Sequence, residues 1–244
     1  MKAIKKIISA ALILAIITAS LCSCDLLFGS KSAEEIIAQA DALLAENDYT
    51  VITSIQYECQ DPSKSGDLNS PLIMTEVDGD NFRIAMTLDG ESTDNGVIYT
   101  YVDGTLYTQL SENGVKTNST TKMDAVEKEK LTSNYGTIVG IKDFENVDAK
   151  SIGKNGMITC TGIKNETIGE MTDFLEAQLD LDGATVAVKE AVLVITTLSG
   201  MYVASVFTCQ YVVTTATDAY TLTMAYATAY TYGTDINITA PDFN

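Results

Sequence analysis

The chain contains no histidine and no tryptophan in 244 residues. Without histidine there is no imidazole to act as general base near neutral pH, no triad built on it and no imidazole metal site. No glycine-rich phosphate loop of either familiar type is present. Carboxylate pairs are plentiful, but without tryptophan a sugar-cleaving cleft lacks its common aromatic platform. Asp180-Leu181-Asp182-Gly183 opens like a calcium loop, yet the later ligands do not follow. The chain is therefore read as a non-enzyme with no metal and no cofactor. Basic residues are also scarce, 15 against 33 acidic, for a formal net charge of −18. That field repels phosphate backbones, which sets nucleic acid aside as a partner. Solubility alone accounts for acidity of this kind.

The N-terminus departs from this pattern. Lys2, Lys5 and Lys6 form a positive segment, and Ile7 to Ser20 an apolar run. The run is short for a bilayer span, which takes ~20 residues, and fits a secretory signal. It ends at Leu21-Cys22-Ser23-Cys24, which resembles the lipobox of bacterial lipoproteins. The resemblance implies cleavage between Ser23 and Cys24, a diacylglyceryl group on the Cys24 thiol and an acyl chain on its new amine. Two or more chains hold a protein durably on a membrane, whereas one binds marginally. The expected organisation is a cleaved signal over 1–23, a lipidated tether over 24–31 and one domain over 32–244. The expected place is the extracytoplasmic face of the cell membrane. Without the leader's three lysines, 12 basic residues face 33 acidic ones, a net charge of −21. Asp25 resembles an inner-membrane retention signal if the host has two membranes, and has no meaning if it has one.

Of the five cysteines, Cys22 leaves with the signal and Cys24 is lipidated, so Cys59, Cys160 and Cys209 remain. Their odd number and wide spacing read as three core thiols, with one bridge and one free thiol as the alternative.

Ser32-Ala33-Glu34-Glu35 is a capping box, and Ile36, Ile37, Ala40, Leu43 and Leu44 follow at helical spacing, predicting a helix over about 33–46. From Tyr49 the period becomes two. Strands are predicted over 72–77 and 82–88 about Asp78-Gly79-Asp80-Asn81, and over 97–102 and 106–110 about Asp103-Gly104. Residues 116–121 read as polar with no assignment, and 124–131 as a short helix. A hairpin over 144–161 turns at Lys154-Asn155-Gly156. Thr167-Ile168-Gly169-Glu170 is a second capping-box candidate, placing a helix over about 167–180. Thr185 to Leu198, Tyr202 to Thr214 and Tyr220 to Tyr232 are long β-favouring runs, of a length that suits strongly curved sheets. Pro241 near the end cannot continue a central strand. The reading is a single α+β domain built on an antiparallel meander.

This order of elements resembles the LolA/LolB/LppX-type bacterial lipoproteins, including Gram-positive members. The residues closest to that pattern are Tyr101-Val102-Asp103-Gly104-Thr105-Leu106-Tyr107 and Ile238-Thr239-Ala240-Pro241-Asp242-Phe243. The resemblance implies a curved antiparallel half-barrel wrapped around two or three helices, with an apolar cavity for a lipid-like ligand. Phe82, Met86, Tyr99, Phe207, Tyr211, Met224 and Tyr226 are the larger residues expected to point inward or to line that cavity. Either the helices fill the concavity as a closed core, or they stand off and leave a ligand-sized space. Two functions follow: a membrane-anchored carrier of a hydrophobic ligand, or a non-catalytic module showing a Tyr/Thr-rich surface to a protein or glycan. A buried location for all of Tyr220, Tyr226, Tyr230 and Tyr232 would remove the main support of the second.

Overall fold

The computed structural model describes residues 31–60, 71–87, 94–134, 139–179, 184–233 and 236–243. The expected signal with its cleavage position at Ser23 and Cys24, the expected tether as far as residue 30, and Asp180-Leu181-Asp182-Gly183 lie outside these. No helix among the described residues is long and apolar enough to cross a membrane.

The domain is α+β. Among the described residues, eleven antiparallel strands form one open sheet, and three α-helices lie against it. The strands are β1 (Tyr49–Cys59), β2 (Leu72–Asp78), β3 (Asn81–Thr87), β4 (Gly96–Val102), β5 (Thr105–Glu112), β6 (Val115–Lys122), β7 (Phe144–Ile152), β8 (Asn155–Ile163), β9 (Thr185–Leu198), β10 (Met201–Thr214) and β11 (Ala219–Tyr232). The helices are α1 (Ala33–Ala45), α2 (Ala125–Asn134) and α3 (Asn165–Leu179). The strand order is β6-β5-β4-β3-β2-β1-β11-β10-β9-β8-β7. Two local meanders, β1–β6 and β7–β11, are thus joined through β1 and β11, and β6 and β7 are the edges.

Tight turns set the registers. Asp103-Gly104, Asn113-Gly114 and Ser199-Gly200 all have positive φ, 49° and 78°, 52° and 78°, 55° and 86°. Two consecutive positive φ values give the turn whose twist matches a right-handed hairpin. Asn113-Gly114 makes β6, the strand that the sequence reading left unassigned. Its residues are all exposed, so it has no hydrophobic alternation, and the Asn-Gly turn was its one local signal. The hairpin β7–β8 turns at Gly153-Lys154, slightly before the expected place.

Around α1 the capping box forms as expected: the Glu35 amide donates to Ser32 Oγ at 3.2 Å and the Ser32 amide to Glu35 Oε2 at 2.8 Å. Helix α3 starts two residues before the expected Thr167 cap. The Lys164 carbonyl accepts from the amides of Thr167 and Ile168, which already caps the first turn, and Thr167 Oγ1 turns to Asp143 Oδ1 instead. Helix α2 has its own reciprocal cap between Asp124 and Glu127, at 2.9 Å in both directions.

The register sorts side chains onto two faces. Ile55 pairs with Tyr226, Tyr226 with Phe207, and Phe207 with Leu193, and the helices cover this face. Alternation places all seven cavity candidates on it. The main apolar cluster gathers Ile36 of α1 and Met171 and Leu175 of α3 over Ile158, Leu193, Phe207, Tyr211 and Met224. A second cluster holds Ile73, Phe82 and Ile84, with Met86, Tyr99, Tyr101 and Leu131 of α2 against it. Across the opposite face runs the closing arm, with the Ile238 amide on Asp78 Oδ2 and the Phe243 ring 5.9 Å from Tyr107.

Helix α1 reaches the sheet because Gly156 and Gly200 lack side chains. A Cβ on Gly156 would stand 2.8 Å from Ile36 Cγ2 and 2.9 Å from Thr197 Oγ1, and one on Gly200 would strike the Gln39 amide. Overpacking of this kind costs about 1–3 kcal/mol. Gly156→Ala is therefore expected to lower stability by about that amount and to speed amide exchange in α1, as read by chemical denaturation and hydrogen exchange.

Candidate functional site

The helix-bearing face is not filled completely. Helix α1 lies along it on one stripe, with Ala33, Ile36 and Ala40 buried. Among the described residues, two clefts open along the helix. Leu44 lines the first and Ile37 the second; seven residues separate them, about 10.5 Å along the axis. Tyr230 belongs to the wall of both.

The first cleft, about 170 Å³, lies between α1 and α2 and is floored by β1, β2, β3 and β11. Leu44, Val51 and Ile84 supply its apolar part, and Tyr49, Thr53, Thr75, Thr132, Tyr226, Thr228 and Tyr230 the rest. Thr53 Oγ1 and Thr228 Oγ1 are 3.2 Å apart and buried, and either can donate. Thr132 Oγ1 donates to the Lys128 carbonyl at 3.1 Å. Burial pushes the Tyr226 hydroxyl pKa up, and a hydrogen bond from Thr53 offsets part of that.

The second cleft, about 300 Å³, lies between α1, the 139–142 segment, β9 and β10. Ile37, Val139, Ile141, Leu193 and Ile195 make it largely aliphatic, with Tyr202, Ser205 and Tyr230 as polar members and an exposed Lys142 beside them.

A tyrosine wall separates the two. Tyr202 and Tyr230 stack at 5.3 Å between ring centroids, and Tyr49 and Tyr232 meet at 6.5 Å. The Tyr202 hydroxyl donates to Asp41 Oδ1 of α1 at 2.7 Å. Burial, and then the Asp41 carboxylate, push the Tyr202 pKa well above the ordinary phenol range. The phenol therefore stays a neutral donor, and this bond ties the exposed side of α1 to β10.

The structure distributes the expected cavity residues unevenly. Tyr226 lines the first cleft. Phe207, Tyr211 and Met224 are buried in the main cluster, and Phe82 in the second, where Met86 and Tyr99 pack half-buried. Packing is closed beneath α1 and α3, and clefts lie on either side of Tyr230. The sequence set did not include Tyr202, Tyr230, Ser205 or the threonines. The alternation along β11 carried the signal for Tyr230 and Thr228, whereas Tyr202 and Asp41 meet only through tertiary packing. Among the tyrosines of the surface-recognition reading, Tyr226 is buried and Tyr220, Tyr230 and Tyr232 are half-buried, all on the helix-bearing face.

Cys59, Cys160 and Cys209 are buried and unbonded. Burial raises Cys160 and Cys209 to about 11, against ~8.5 for an unfolded thiol. Between those values the unfolded chain has released protons that the folded chain still holds, so stability falls as pH rises through that window. At pH 8 these two thiols are expected to react with a disulfide reagent far more slowly in the folded protein than in denaturant. The denaturation midpoint is expected to decline from pH 8.5 toward 11.

No protein-family model matches the chain, and no curated protein matches it. Among solved structures, the ywiB protein from Bacillus subtilis is 11% identical, with 77% of this chain and 93% of that one covered at a TM-score of 0.16. An N-terminal dehydratase from the difficidin assembly line is 7% identical, with 80% and 81% covered at a TM-score of 0.12. Likeness at this level bears on neither fold nor function.

Proposed function

We propose that this is a membrane-anchored bacterial lipoprotein, lipidated at Cys24, whose half-barrel domain is of the LolA/LolB/LppX type and carries a hydrophobic ligand. The observation that supports it best is the second cleft: about 300 Å³, walled mainly by aliphatic side chains, beneath a helix that follows the membrane tether. Burying apolar ligand surface there contributes about 25 cal/mol per Å². The anchor keeps the cleft close to its source of ligand. Helix α1 covers that cleft through one packed stripe and the Tyr202–Asp41 bond, a modest attachment suited to yielding when a ligand enters.

The direct test is mass spectrometry of organic extracts from the protein purified from its native host and from a foreign one. One lipid class enriched in both preparations is the expected result. Clean extracts from a folded protein would overturn the carrier reading. Ile37→Trp fills the second cleft from α1 and is expected to reduce retained lipid about tenfold, ~1.4 kcal/mol, with the circular dichroism spectrum unchanged. The anchor is tested separately. Cys24→Ala should release the protein or leave it unprocessed, and failure of the wild type to take up labelled fatty acid would remove the lipobox reading.

A further inference from the structure

The sheet ends on β6 at one side and on β7 at the other, and the two edges differ. Helix α1 and the Ile141–Asp143 turn lie against β7. β6 is exposed along its whole length, Val115–Lys122, and pairs with β5 without a bulge. The turn before it fixes which way its backbone groups point. In a two-residue hairpin the residues flanking the turn exchange both hydrogen bonds, so Val115 faces Glu112, and Thr117, Ser119 and Thr121 face β5 after it. The Met123 amide on the Gly104 carbonyl, at 3.1 Å, continues this series. The amides and carbonyls of Lys116, Asn118, Thr120 and Lys122 therefore point away from β5, where no strand among the described residues receives them.

Exposed edges are commonly blunted by lysines, prolines or bulges. β6 has no proline and no bulge, and two of its outer side chains lean back over β5. Lys122 Nζ donates to Thr105 Oγ1 at 2.8 Å, and Asn118 Oδ1 accepts from Gln109 Nε2 at 3.2 Å. Lys116 has no ion pair among the described residues. Charge also sets the strand apart. In a chain with 33 acidic and 15 basic residues, positions 113–123 hold Lys116 and Lys122 and no carboxylate. We infer that β6 is a docking edge that takes an extended acidic segment of another protein as an added strand. Main-chain hydrogen bonds supply the affinity in strand addition, and the flanking side chains supply the selectivity. Opposite residues of an antiparallel pair share a face, and Lys116 and Lys122 stand on one face, ~20 Å apart along the strand. The segment that fits carries two carboxylates at that spacing, with β-favouring residues between them. A second copy of this chain fits less well. The antiparallel register that uses all four outward residues would set Lys116 against Lys122 of the second copy at both ends, and like charges directly opposite are destabilising. This edge is separate from the clefts and does not depend on the carrier reading.

The test uses the full chain in detergent and a dye-labelled peptide, Glu-Thr-Val-Thr-Val-Thr-Glu, blocked at both ends. Binding is read by fluorescence anisotropy, and exchange of single amides by nuclear magnetic resonance. At saturation the peptide is expected to slow exchange of the Lys116, Asn118, Thr120 and Lys122 amides about tenfold. The same peptide with lysine in place of both glutamates, or with N-methyl groups on the two valines whose amides face β6, is expected to bind about tenfold more weakly. Thr120→Pro removes one outward amide, which an edge strand tolerates, and is expected to weaken binding about tenfold with the circular dichroism spectrum unchanged. Lys116→Glu leaves the backbone intact and is expected to weaken binding about threefold. Absence of binding, or protection that falls on amides other than these four, overturns the inference. Equal binding of the glutamate and lysine peptides overturns it too, because the acidic partner is then wrong. If the four amides are protected in the chain alone, and more so at higher concentration, the occupant is a second copy and the inference fails.

Discussion

The pairing of β1 with β11 holds the molecule together. Each half of the sheet is built of strands in sequence order, six on one side and five on the other, most joined by hairpins or loops and β8 to β9 through α3. The two halves meet along eleven residue pairs, from Tyr49–Tyr232 to Cys59–Leu222. That ladder joins segments at opposite ends of the domain, so closing it carries the entropy of the whole intervening chain. It also sets the functional geometry. The same register brings Thr53 opposite Thr228 and Val51 opposite Tyr230, in the wall of the first cleft.

Helix α1 depends on that ladder in turn. Thirteen residues make a marginal helix in water, and no basic residue in its last turn offsets the helix dipole. Its stability comes from what it touches. Ile36 sits over Gly156, Gln39 and Leu43 over Gly200, and Asp41 receives Tyr202. Those partners come from β8, β10 and the turn before β10, all in the half of the sheet that the chain completes last. The first helix of the described chain is thus held by strands from the far end of the sequence.

How much of this was legible in the sequence follows from which forces act locally. The capping box of α1, the Asp103-Gly104 turn and the bounds of β9 are local and were readable from the residues. The strict alternation of Phe82, Ile84 and Met86, and of Leu222, Met224 and Tyr226, assigned a shared face that the register reproduces. β6 escaped because an edge strand exposed on both faces has no alternation to read. The α3 start shifted because Lys164, just ahead of the Thr167–Glu170 pattern, and Asp143, distant in sequence, supply its first partners. The cleft walls were the least legible. Size and apolarity pick out residues that fill a core, and Phe207, Tyr211 and Met224 do so. A cleft is bordered by side chains that leave space, and here many of those are threonines.

The threonines also account for the division of the described packing into the two apolar clusters. Thr53, Thr75 and Thr228 fall on three adjoining strands, where Thr53 pairs with Thr228 and Val51 with Thr75, between the cluster under α1 and α3 and the cluster under α2. A hydroxyl buried in aliphatic packing must find a partner or lose free energy. Thr53 and Thr228 find each other, but a row of such residues cannot be covered by leucine and isoleucine side chains without isolating some of them. Three short helices therefore settle on either side of the row instead of over it. The first cleft is the space they leave, and a valine in place of each threonine would remove the reason for that space.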